Sequence, residues 1–240
     1  MNSDKPTTLL DNFALMQDQF NALSSLLIEF STPEKKIPME RYMKNLFSYI
    51  GVTSPNRNEA MKVFHTAWTP SSNAELINWV KLLWNAEKRE FQYVAMETFF
   101  KHKKLWLESD IQTIEMMMTH KSWWDSIDFI AASIVGEYFK KYPSTFEKTM
   151  QKWIESPNMW VNRTAIICQL KYREKTNTEW LKNAIIPHLE SKEFFHQKAI
   201  GWALRQYART NLEWVVEFVN NHTLKPLSRR EAFKHHKHLI

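Results

Sequence analysis

Glycine is scarce in this chain. Three glycines occur in 240 residues, at positions 51, 136 and 201, and no two stand close enough to build a phosphate-cradling loop or a strained nucleophile elbow. Dinucleotide-binding GxGxxG, P-loop and GxSxG chemistries are excluded on that ground. The same scarcity deprives an all-β chain of its usual turn residues. Cysteine is rarer still: Cys168 stands alone, which excludes an intrachain disulfide and any multi-cysteine zinc site. No window approaches the ~18 apolar residues of a membrane span. The amino-terminal MNSDKPTTLLDN has no cationic stretch leading into an apolar core. A cytoplasmic protein with no membrane partner and no nucleotide cofactor is expected.

What is present belongs to an ordinary globular protein, with 44% hydrophobic and 24% charged residues. The length suits one large domain or two small ones. The net charge of +6 is unevenly spread: residues 1–120 hold 13 Lys+Arg against 14 Asp+Glu, whereas residues 121–240 hold 19 against 12. A basic half suits a polyanionic partner, because neutralising phosphates releases counterions; mild basicity is also common among cytosolic proteins.

Helix-start signals recur along the whole chain. Ser31 with Glu34, Ser72 with Glu75, Ser109 with Gln112, Ser144 with Glu147 and Ser228 with Glu231 each have capping-box spacing. Ser54-Pro55 and Ser156-Pro157 add serine caps followed by proline at the first helical position. Apolar residues between these starts recur at three- and four-residue intervals, as in Leu76, Val80 and Leu83. An all-α chain of about a dozen helices is predicted. Four of its segments align on Ala95, Ala131, Ala165 and Ala199, spaced by 36, 34 and 34 residues. That period predicts an α-solenoid of HEAT-like helical repeats with a concave face. With no Pro/Gly/Ser-rich linker, residues 1–240 read as one repeat domain, of which 1–30 form an N-terminal helical extension and 31–240 the array.

Several constellations could carry chemistry. In Ser122-Trp123-Trp124-Asp125-Ser126-Ile127-Asp128, Ser122 reads as an N-cap and Asp125 as a complement to the helix dipole. Asp128 has no such local explanation and follows Trp124 by four residues, so a carboxylate and an indole share one helical face. It is either a reactive carboxylate or one half of a structural ion pair, and Trp124 is either a ligand reader or a core anchor. Lys198, Trp202, Arg205 and Arg209 form a second stripe, three cations around an indole. Such a stripe reads as a solvated face or as phosphate contacts. Trp160 and Arg163 repeat the combination one segment earlier, so Asp128, Arg163 and Trp202 could converge from three successive repeats. The cluster His235-His236-Lys237-His238 reads as a basic terminus rather than a metal tract, Met116, Met117 and Met118 as core filler, and Cys168 as buried and inert. No metal and no cofactor is expected.

The strings MERYMKN (39–45), KSWWDSID (121–128), SKEFFHQKAIGWALRQYA (191–208) and PLSRREAFKHHK (226–237) resemble the bacterial AlkD-type DNA alkylation repair glycosylases. The resemblance runs from about Thr32 to the carboxy terminus, and the first thirty residues exceed the family's usual beginning. It implies a right-handed superhelix of HEAT-like repeats that grips duplex DNA in a basic cleft, acts as a monomer, and excises cationic N3- and N7-alkylated purines to leave an abasic site. By position, Asp128 matches the family's catalytic aspartate, Trp124 and Trp202 the tryptophans at the lesion nucleotide, and Arg163 a DNA-backbone arginine. Lys198, Arg205, Arg209 and Trp160 are expected to join the DNA contacts. Thr53 and Ser54 stand where the family's pattern has a Gln-Thr pair near DNA, a departure that bears on contacts to the opposite strand. The competing readings are a non-catalytic HEAT-like module that recognises DNA shape or a protein, and a pure protein scaffold.

Overall fold

The computed structural model describes residues 9–239, and its contacts divide the chain into two compact units, Met1–Trp106 and Leu107–Ile240. Residues 1–8, the start of the expected extension, lie outside the described residues. All regular structure among the described residues is helical, and no strand occurs among them.

The first unit contains α1 (Leu9–Glu29), the short α2 (Lys36–Tyr42), α3 (Ser54–Ala67), α4 (Asn73–Asn85) and α5 (Arg89–Lys101). Helix α1 packs on α3, and α4 on α5. Leu23, Leu27, Phe64, Trp79, Leu83, Trp84 and Phe99 fill the core between them. The second unit contains α6 (Ile111–Thr119), α7 (Trp124–Phe129), a π-helical turn over Ile130–Val135, α8 (Gly136–Lys141), α9 (Phe146–Ile154) and α10 (Met159–Ile167). It continues with α11 (Thr178–Ile185), α12 (Phe194–Ala208), α13 (Leu212–Asn221) and α14 (Pro226–Ala232). Helix α10 is its hub, packed against α6, α7, α9 and α12, while α12 also carries α13 and α14.

The alanine period has a structural counterpart. Ala95, Ala131, Ala165 and Ala199 are all buried, in α5, the π turn, α10 and α12, where a small side chain lets neighbouring helices approach. A polar device repeats as well. In the first unit Gln92 Nε2 donates to the carbonyls of Leu83, Trp84 and Ala86 at the end of α4. In the second, Asn162 Nδ2 donates to those of Trp153, Ile154 and Ser156 at the end of α9. Each buried amide satisfies carbonyls that a helix end leaves without intrahelical partners.

The caps depart from the predicted serines. Ser72 caps α4 by accepting from the Glu75 amide at 3.2 Å, but the Glu75 carboxylate reaches back to Ser71 rather than Ser72. Helix α3 has Thr53, not Ser54, at its N-cap position, with Pro55 in the first turn. Asn158, Asn177 and Asn211 cap α10, α11 and α13, each accepting from the amide of a tryptophan, Trp160, Trp180 or Trp214. Ser156 accepts from the Asn158 amide two residues before the N-cap position of α10. Ser228 lies inside α14, which starts at Pro226, and its hydroxyl donates to the Gln197 carbonyl of α12. The anticipated core residues are where expected for Trp79, Trp84, Trp106, Met117 and Met118; Cys168 is buried, and burial pushes its thiol up to about 12.

Two buried polar devices generate measurable expectations. The fully buried Glu90 carboxylate accepts from the backbone amides of Ile50, Gly51 and Val52 at 2.9–3.1 Å, and Gly51 bends there with φ of 106°, a conformation open mainly to glycine. Glu90→Ala orphans three amide donors, and urea denaturation is expected to show a loss of about 3 kcal/mol or more. Burial, with Lys101 nearby, lowers the His65 value from 6.5 to about 4. Burial, with His188 and Arg163 nearby, lowers that of His196 to about 4. The unfolded chain therefore takes up these protons first, so their contribution to stability is complete above about pH 6.5 and is lost as pH falls from there toward 4. Melting temperatures across that window are expected to decline steadily; a flat profile down to pH 4.5 would refute the assignment.

Candidate active site

The second unit alone brings together the carboxylate, the arginine and one of the helices singled out in the sequence. Helix α7 is entered through Lys121, which has a left-handed φ of 51°. Ser122, expected to cap α7, instead donates to the Met118 carbonyl at 2.5 Å and so closes α6; Trp123 takes the N-cap position without a side-chain bond. Asp125 lies in the first turn of α7, at the positive end of the helix, as expected. Asp128 follows one turn later, two residues before the π turn begins. Such turns add a residue to the helical register and recur at functional sites.

The Asp128 carboxylate is held by a bidentate arginine. Arg163 on α10 donates from Nε to Oδ1 at 2.9 Å and from Nη2 to Oδ2 at 3.0 Å. Its third nitrogen, Nη1, donates to the Phe195 carbonyl of α12 at 2.8 Å. The Arg163 side chain is 5% exposed and that of Asp128 23%, so the arginine is interior and the carboxylate presents an edge to solvent. The Asp128 carboxyl sits above its usual value: burial pushes it up, the charge and hydrogen bonds of Arg163 offset only part of that rise, and the Asp125 charge adds to it. The bidentate geometry is that of an ionised carboxylate.

Arg163, expected at the DNA backbone, has all three guanidinium nitrogens bonded within the protein and ties α7 to α12. Trp160 is half-buried, and its ring lies 5.5 Å from Trp123 and 4.8 Å from Phe195, which themselves lie 5.3 Å apart. This wall stands beside the ion pair, with the Arg163 guanidinium 5.8 Å from the Phe195 ring centroid. Phe194, stacked edge-on against Phe195, remains 56% exposed. Trp124 and Trp202 are both half-buried. Trp202 lies two helical turns along α12 from the Phe195 carbonyl, about 10 Å by helix rise.

The cation stripe of α12 is not a solvated face. Lys198 Nζ lies 2.8 Å and Arg205 Nη1 2.6 Å from the two carboxylate oxygens of Glu231 on α14, and Arg205 also donates to the Glu231 carbonyl. Although burial pushes the Glu231 carboxyl up, its hydrogen bonds to Lys198 and Arg205 hold it at about 2. Only Arg209, at the end of α12, is exposed among the three cations. Glu231 was read in the sequence as half of a capping box; Pro226, which marks the true start of α14, is the signal that excludes that reading. In the first unit, Thr53 is half-buried and Ser54 exposed at the start of α3, beside a buried Arg57 that pairs with Glu97 at 2.6 Å.

Among the described residues no three His, Cys, Asp or Glu side chains gather as metal ligands, and no helix is long and apolar enough to cross a membrane. The family model for DNA alkylation repair enzymes matches residues 23–236. A solved structure from Enterococcus faecalis, described as a predicted DNA alkylation repair enzyme, is similar at 32% identity, covering 86% of this chain and 96% of its own, with a TM-score of 0.78. No curated protein matches the chain.

Arg163→Ala removes both influences that hold the Asp128 carboxyl down. Its titration midpoint, followed by carboxyl carbon shifts, is expected to move upward, with a loss of about 3 kcal/mol in stability from the orphaned partner. An unmoved midpoint would show that the pairing does not govern the charge on Asp128.

Proposed function

This chain belongs to the DNA alkylation repair enzyme family, and from that premise we propose that it is a monofunctional DNA glycosylase. It hydrolyses the N-glycosidic bond of cationic N3- and N7-alkylated purines in duplex DNA and acts as a monomer. The observation that carries the reading is a half-buried Asp128 carboxyl group held in a bidentate pair by Arg163 beside aromatic side chains.

The chemistry follows from the substrate's charge. Alkylation at N3 or N7 makes the purine a cation, so the base departs as a neutral molecule and needs no general acid. The barrier that remains is positive charge developing at the sugar. An anionic carboxylate beside the deoxyribose stabilises that oxocarbenium-like state and orients the attacking water. Asp128 supplies the negative charge; partial burial strengthens its field relative to a fully hydrated carboxylate. Arg163 keeps it ionised and points it. The faces of Trp124 and Trp202 favour a cationic base and the polarised C–H edges of the sugar, each by ~0.5 to 2 kcal/mol. Selection in this reading rests on the charge and lability of the lesion, without hydrogen bonds to base edges in a pocket, so bulky cationic adducts are accepted and neutral lesions are not. Exposed cations such as Arg209, with Thr53 and Ser54, are assigned to the DNA backbone.

The same ion pair favours a second reading, a DNA-binding module without base release, because Arg163 already satisfies the Asp128 carboxylate internally. Incubation with a duplex bearing N7-methylguanine separates the two. Asp128→Asn is expected to lower base release at least 100-fold while leaving duplex affinity within about threefold of the parent protein. Binding without release by the parent, or undiminished release by the asparagine variant, overturns the glycosylase reading.

A further inference from the structure

A glycosylase for cationic bases must bring a positively charged ligand to a strongly basic half of the chain. Near Trp202 the difficulty is acute. Lys198 stands one turn before it and Arg205 one turn after it on the same face of α12, so each lies about 5–6 Å away between Cβ atoms. Two unpaired cations at that separation would repel the very base the indole is suited to hold.

We propose that Glu231 is a specificity-determining residue for this reaction, an internal counter-charge that neutralises the flanks of Trp202 so that a cationic nucleobase is accepted there. The inference rests on the glycosylase reading for its substrate and on independent geometry for the residue. The Glu231 side chain is 13% exposed, and its two oxygens are divided between Lys198 and Arg205. Its place is built by close packing. A Cβ at Gly201 would collide with the Glu231 Cβ and lie 2.8 Å from the Ser228 carbonyl oxygen, so glycine is what lets α14 approach next to Trp202. Ser228 then bonds α14 to the Gln197 carbonyl, holding Glu231 against the two cations. A carboxylate held at about 2 stays charged throughout the physiological range. The triad of Lys198, Arg205 and Glu231 carries one net positive charge in place of two.

The test compares affinity for two duplexes that differ in one charge: one with N7-methylguanine, read as the half-saturating concentration for base release in single turnover, and one with its neutral isostere 7-methyl-7-deazaguanine, read as Kd. Glu231→Gln, which keeps shape and removes charge, is expected to reduce the preference for the cationic duplex by about tenfold, the scale of one unit charge acting over one helical turn at intermediate dielectric. It is also expected to tighten binding of undamaged duplex and to steepen its salt dependence by about one counterion. The double variant Glu231→Gln with Lys198→Met restores the net charge without restoring the ion pairs, and is expected to recover the preference. If Glu231→Gln retains the parent preference, or the double variant fails to recover it, the residue is a structural clamp and the proposal is wrong. Absence of base release by the parent protein overturns the glycosylase reading instead; the shielding role is then judged by Kd values alone on the same pair of duplexes.

Discussion

The second unit depends on one buried guanidinium. Arg163 sits in the hub helix α10 with no path for its charge to reach bulk water, and an unpaired interior cation would carry a penalty of several kcal/mol. The fold answers by supplying an acceptor for each nitrogen, a carboxylate from α7 and a carbonyl from α12. The ion pair is therefore both a tie between helices and an influence that favours the charged form of a partly buried carboxylate. In the proposed reaction the two roles are coupled: the residue assigned to charge stabilisation is also the counter-ion that makes the arginine tolerable.

The first unit shows the same device put to a different use. Arg57 on α3 donates to both oxygens of Glu97 on α5, and its guanidinium lies 4.8 Å from the Tyr93 ring centroid. Tyr93 in turn bonds Tyr49 through the two hydroxyls. In the second unit the acid lies just before a π turn, with tryptophans at Trp123 and Trp124, so that the pair borders an aromatic surface. The two units share one structural solution, a buried arginine with a less buried acid on a neighbouring helix, and what distinguishes the second is the aromatic surface beside the pair.

Much of the fold could be read directly from the chain. The spacing of apolar residues and the period of Ala95, Ala131, Ala165 and Ala199 follow from local geometry, which a sequence records faithfully. The π turn after Asp128 was not legible, because it depends on packing around the register shift and leaves no residue signature. Capping was only half legible. Serine and asparagine serve equally well as caps, so Asn158, Asn177 and Asn211 carried a signal that a search for serine overlooked. The candidate site was legible in its members but not in their partners. A cation stripe looks identical in sequence whether it faces water or an acid that arrives 26 residues later on another helix; Arg205 and Glu231 have that separation. The internal pairing of Arg163 is equally invisible in the sequence, since its acid partner lies 35 residues earlier on another helix.

These pairings resolve an electrostatic conflict. DNA affinity requires cations, whereas acceptance of a positively charged base requires their absence at one point. Uniform basicity satisfies the first demand and defeats the second. The second unit pairs some of its cations internally: the buried Arg163 has Asp128 against it, and the part-exposed Lys198 and Arg205 share Glu231. Arg209, Lys192, Arg230 and Lys234 remain exposed, where a charged side chain stays hydrated. Fields between buried partners are short-ranged because they cancel, while those of exposed cations extend about one Debye length, ~8 to 10 Å.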